Sequence, residues 1–247
     1  MSAARRGPVL AVAAATLLAA CGGGDERPSS SADASRPHVV VVDGGVATDL
    51  PALQPYAVRQ VGGRVHSDHG TMMLSVVLGL TGQDPIEPGS VDVTSVVVST
   101  GGREDALAEA IARALDVEPD VVSVSMGVRR GTPALAAVVD RAREAGVVVV
   151  AAAGNVRFLP PDFPARYDSV LAVGAQDAEG QLWPGSAQDG FDVAAIGVDV
   201  EVLRPDGAVT RETGTSVAAA AVTHDILRQL VDGVIDEAGA YVAAVPG

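Results

Sequence analysis

Five short runs of small apolar residues constrain this chain more than any other feature: residues 39–42, 93–99, 121–125, 147–152 and 170–174. None of them alternates apolar with polar side chains, so strands made from them need cover on both faces. Stretches with helical character separate them, at residues 70–80, 104–115 and 133–145. In the second of these Leu107, Ile111 and Leu115 recur every four residues along one face. Pro119 and Gly146 stand where the second and third must stop. Buried strands alternating with helices predict an α/β fold, a doubly wound parallel sheet in three layers, with functional residues at the carboxyl ends of the strands.

Composition narrows the function. Of 247 residues 48% are hydrophobic but only 3% aromatic, so the core is built from Val, Ala and Leu. A formal net charge of −14 repels phosphate backbones and excludes nucleic acid as a partner. Cys21 is the only cysteine, which rules out an intrachain disulfide and calls for another explanation of that residue.

The N-terminus supplies one. Arg5 and Arg6 precede an apolar run over residues 9–20, too short to span a bilayer comfortably, and Leu18-Ala19-Ala20-Cys21 closes it with small residues. The pattern resembles a bacterial lipoprotein signal. That resemblance implies cleavage after Ala20, a lipid on Cys21 and an extracytoplasmic protein anchored to the cell envelope. Residues 21–37, rich in Gly, Ser, Asp and Pro, read as the lipidated cysteine and a flexible tether. One domain is expected over residues 38–233, with a C-terminal tail at 234–247.

Four segments carry candidate chemistry. Asp43 ends the first apolar run in Val41-Val42-Asp43-Gly44-Gly45-Val46, and His69-Gly70-Thr71 opens a helix. Ala151-Ala152-Ala153-Gly154-Asn155 follows another apolar run, and Gly214-Thr215-Ser216-Val217-Ala218-Ala219 leads into an apolar helix at 218–230. Each has an ordinary reading taken alone. Asp and Asn end strands as turn formers, Thr and Ser cap helices, and His66 with His69 could chelate a metal if a third ligand were at hand. Together, in the order Asp, His, Asn, Ser, they resemble the subtilisin family of serine peptidases, a likeness running from about Val39 to Val231.

The resemblance implies a serine endopeptidase acting on polypeptides, expected to be a monomer, with no cofactor and no metal. Asp43, His69 and Ser216 would be the catalytic triad and Asn155 the side-chain donor to the oxyanion. Ser125, Met126 and Gly127 would pair with an extended substrate, and Ala152, Ala153 and Gly154 would wall the first specificity pocket, floored by the short loop 156–162. Arg157 in that loop would favour acidic side chains if it faced the pocket.

Departures from the family pattern define further expectations. Gly44 stands where Ser or Thr is usual, removing a hydroxyl that could hydrogen-bond Asp43. Met72 replaces a second histidine, which reads as a packing change, and Ala220 and Ala221 replace the usual Pro and His, which should relax the first turn of the nucleophile helix. Residues 22–37 are too short for the folded pro-domain of many secreted members. Asp84 and Glu87 do not reproduce the usual calcium loop and read as solvated turn charges. Two other functions fit the same residues: a non-catalytic peptide-binding lipoprotein, or a processing peptidase with one substrate.

Overall fold

The computed structural model describes residues 36–82, 84–99 and 105–245. Strand β1 (His38–Asp43) is followed by β2 (Arg59–Val61), helix α1 (His69–Val77), β3 (Asp92–Val97), α2 (Ala106–Leu115), β4 (Val121–Val124), α3 (Pro133–Glu144), β5 (Val148–Ala152) and β6 (Leu171–Gln176). Then come β7 (Val193–Ile196), β8 (Val200–Leu203), β9 (Val209–Glu212), α4 (Thr215–Val231) and α5 (Ala238–Ala244). The segments expected at 234–247 and at 218–230 thus gain structure: the first holds α5, and the second begins three residues earlier, at Thr215.

Seven strands form one sheet in the order β2-β3-β1-β4-β5-β6-β7, and every neighbouring pair in it is parallel. Strands β8 and β9 make a separate antiparallel pair that leads into α4. The sheet is covered on both sides because successive side chains of a strand point opposite ways. Val40, Val42, Val96, Val122, Val124 and Val149 pack against α2 and α3, whereas Val39, Val41 and Val93 pack with residues of α1 and α4. The four valines of β1 are wholly buried, each contributing roughly 1.5–3 kcal/mol over an exposed position.

This order reverses direction at β1, which has β3 on one side and β4 on the other. In an open parallel sheet such a switch point leaves a crevice at the carboxyl ends of the two central strands. Asp43 is the last residue of β1, and Ser125 directly follows β4. Since Val42 is in register with Val124, Asp43 and Ser125 stand side by side, about one strand spacing of 4.8 Å apart.

Candidate active site

The carboxylate of Asp43 is almost wholly buried, and both of its oxygens are hydrogen-bonded. The N–H of Gly44 donates to Oδ1 at 2.6 Å, and Nδ1 of His69 lies 2.8 Å from Oδ2. An ionised carboxylate only accepts, so Nδ1 carries the proton and Nε2 is left as the basic nitrogen. The imidazole enters the crevice because α1 starts at the end of β1. Gly70 permits that approach: a Cβ there would lie 2.3 Å from the carbonyl oxygen of Gly45.

The His69 pKa is raised above its ordinary value of 6.5. Burial is the largest single influence and lowers it, but the hydrogen bond to Asp43, the charge of Asp43 and the charge of Glu212 together outweigh that. Glu212, at the end of β9, was not singled out in the sequence, where nothing marks it as facing the imidazole.

Gly44 brings its own compensation. A Cβ there would sit 2.6 Å from Cβ of Ser67 and 3.0 Å from Cε1 of His66, so Ser67 fills the volume that a side chain at position 44 would take. Ser67 also accepts the N–H of His69 at 3.1 Å. His66 bonds the carbonyl of Val98 through Nε2 at 2.9 Å, and among the described residues no three His, Cys, Asp or Glu side chains gather as metal ligands.

Ser216 is the second residue of α4, and its N–H belongs to the first turn, where no intrahelical acceptor exists. Its hydroxyl donates to the carbonyl of Ser125 at 2.8 Å, and among the described residues no hydrogen bond joins it to His69. The alcohol is therefore held on the carbonyl of the residue that directly follows β4, and must leave that acceptor to bond the imidazole. Staggered wells about Cα–Cβ make a change of rotamer a local step, at the cost of one hydrogen bond of about 1 kcal/mol.

Asn155 follows β5 and is exposed, yet its amide is fixed. Its Oδ1 accepts from both the N–H and the hydroxyl of Thr215, and Thr215 Oγ1 in turn accepts the N–H of Gly154 at 3.0 Å. With the carbonyl end held by two donors, Nδ2 is the end available to an incoming oxygen. The sequence places Thr215 in the segment around Ser216 or as a helix cap, and carries no sign of its hold on Asn155.

Met126 packs against the core, Ser125 is buried, and Ser125 to Gly127 lie past the end of β4 without joining its ladder. Ala152 and Ala153 are buried and Gly154 is half-buried. Met72 is buried in the core between α1 and β1, and Ala220 is wholly buried within α4, whose first turn closes from Ala218 N–H to Gly214 O at 3.3 Å. Asp84 is ion-paired with Arg228 at 3.1 Å, while the Glu87 carbonyl accepts from Ser90. Arg157 stacks on Phe158, its guanidinium carbon 5.3 Å from the ring centroid. Cys21 and the segment expected to be its signal lie outside the described residues.

A parallel sheet of this order, with an Asp–His pair at its switch point and a serine opening the central helix, is the architecture of the subtilisin-like α/β proteins. The chain belongs to the subtilase family, whose model matches residues 37–228. It is 32% identical over 211 residues to subtilisin amylosacchariticus of Bacillus subtilis subsp. amylosacchariticus, covering 77% of this chain and 54% of that protein. The chain thus spans about half the length of that relative. Among solved structures it is similar to the self-cleaved protease domain of PatA (TM-score 0.70, 26% identity, 80% of this chain and 81% of the other). It is likewise similar to the prenylagaramide maturation protease PagA (TM-score 0.72, 25% identity, 82% and 79%).

Proposed function

We propose that the protein is a serine endopeptidase in which Asp43, His69 and Ser216 form the catalytic triad. The observation that carries this reading is the buried Asp43–His69 hydrogen bond of 2.8 Å, together with a serine at a helix N-terminus and an amide whose donor end has no hydrogen bond among the described residues. A neutral alcohol is a weak nucleophile, so Nε2 of His69 takes the Ser216 proton as Oγ attacks the scissile carbonyl carbon. Asp43 steadies the imidazolium that results. Negative charge then moves onto the carbonyl oxygen, where Nδ2 of Asn155 and the N–H of Ser216 donate to it. Collapse breaks the C–N bond, His69 returns the proton to the leaving amine, and water repeats the sequence on the acyl ester.

Substrate lies extended along Ser125, Met126 and Gly127, whose backbone is left outside the sheet's ladder, with Ala152, Ala153 and Gly154 on the other side. The protein acts outside the cytoplasm, held to the cell envelope by lipid on Cys21, works as a monomer and does not bind nucleic acid. Among the described residues no helix is long and apolar enough to cross a membrane. Palmitate labelling in cells, lost on Cys21→Ser, is the expected sign of the anchor.

Hydrolysis of a broad peptide library, with Ser216→Ala as control, tests the activity. Cleavage that disappears in the variant supports the triad; equal cleavage by both contradicts it. A second reading, a processing peptidase with few substrates, is favoured by the likeness to PatA and PagA, the latter described as a maturation protease. Cutting of very few library members is its signature.

A further inference from the structure

One side chain, Asp162, fills the space between the segments that follow β4 and β5. Gly127 and Gly154 follow β4 and β5, and neither has room for a side chain, for the same reason. A Cβ on Gly127 would lie 2.6 Å from Cβ of Asp162, and one on Gly154 would lie 2.8 Å from its Oδ2. Gly154 moreover has φ of +105°, where L residues are strained. The Asp162 side chain thus lies across the gap between the two segments that flank an extended substrate.

Its position is fixed from the backbone. Asp162 N–H donates to the carbonyl of Ala153 at 2.9 Å, and Phe163 and Val128 exchange backbone hydrogen bonds of 2.9 and 2.8 Å. The carboxylate is unevenly satisfied: Oδ1 pairs with Nη1 of Arg129, whereas Oδ2, the oxygen beside Gly154, has no hydrogen bond among the described residues. The side chain of Asp162 is 18% exposed against 47% for Arg129, so the anion is the more sheltered partner of the pair. Arg157, in the same loop as Asp162, is engaged with Phe158, itself 85% exposed.

A carbonyl held between Ser216 and Asn155 places the side chain on its amino-terminal side next to Gly154, the neighbour of Asn155. That side chain points at an anion with one oxygen unpaired and little water to solvate it. A sheltered carboxylate of this kind gains most from a charge-assisted donor and least from an acidic or aromatic group. Resting on the peptidase reading above, we infer that Asp162 makes the cleft select Lys or Arg immediately before the scissile bond. Arg129 tempers the preference, because it occupies the other oxygen and carries the same charge as the incoming side chain.

The test is a series of peptide amides differing only at that residue, hydrolysed by the full chain and by Asp162→Asn and Arg129→Ala. The expected kcat/KM for Lys and Arg exceeds that for Leu, Phe and Glu by roughly 10-fold or more, the scale of one charge-assisted hydrogen bond. Asp162→Asn lowers the Lys-to-Leu ratio by a similar factor, and Arg129→Ala raises it. If Asp162→Asn fails to fold, the wild-type profile and the Arg129 variant still decide. A neutral or acidic preference in the wild type overturns the inference while leaving the peptidase reading intact, as does a Lys-to-Leu ratio that either variant leaves unmoved. Failure to cut any peptide, with no fluorophosphonate adduct on Ser216, removes the peptidase reading and this inference with it.

Discussion

Thr215 grips Asn155 by one atom: Oδ1 of the amide takes 2.9 Å hydrogen bonds from both the backbone and the side chain of Thr215. The grip fixes which end of the amide is turned away from Thr215, and in the proposed mechanism that end must be the donor, since a flipped Asn155 would present oxygen to oxygen.

Thr215→Val keeps the shape and deletes the hydroxyl. One donor to Oδ1 and the acceptor for Gly154 N–H disappear together, and Asn155 is freer to turn. A fall of about 10-fold in kcat with KM little altered is expected, matching the loss of roughly one hydrogen bond in the transition state, with Thr215→Ser restoring most of it. Steady-state kinetics on one peptide check this; a change in KM alone would place Thr215 in substrate binding.

Gly44 and Ser67 form a pair in which one side chain has taken the other's space. Gly44→Ser alone crowds Cβ against Cβ at 2.6 Å and is expected to cost about 1–3 kcal/mol of stability. Adding Ser67→Gly should recover most of that loss, because the two changes share one volume. Denaturant titration of the two single variants and the double variant gives the coupling; strictly additive losses would mean that the two residues do not compete.

If His69 is the general base proposed above, its raised pKa should set the acidic limb of activity. A general base works only when neutral, so kcat/KM should fall as pH drops through a value above 6.5. Glu212→Gln removes one of the charges that raise it and should move this limb to lower pH. The same ionisation has the opposite sign for stability: a pKa higher in the folded state means that the contribution is complete below the unfolded value and is lost as pH rises through the folded one. A limb centred below 6.5 would contradict the assignment.

The valine runs were legible because strands covered on both faces need apolar residues at every position, as at Val39 to Val42. Strand β2 was not: Arg59 and Gln60 are exposed at the sheet edge, so pairing with β3 leaves no mark in their polarity. The β8–β9 ribbon was missed for the same reason, with Glu201, Val209 and Arg211 all exposed. Motif order singled out Asp43, His69, Asn155 and Ser216, but not the groups acting on them. Ser67 and Glu212 act on His69 through loop geometry and a hairpin, and contacts between residues distant in sequence have no local pattern.

Reaction of the folded protein with a fluorophosphonate, followed by peptide mapping, bears most directly on the central claim, because the reagent modifies only a serine that a neighbouring base activates. A single adduct on Ser216, lost in His69→Ala although that variant stays folded, is the predicted result. No adduct, or one on Ser216 that persists without His69, would contradict the account.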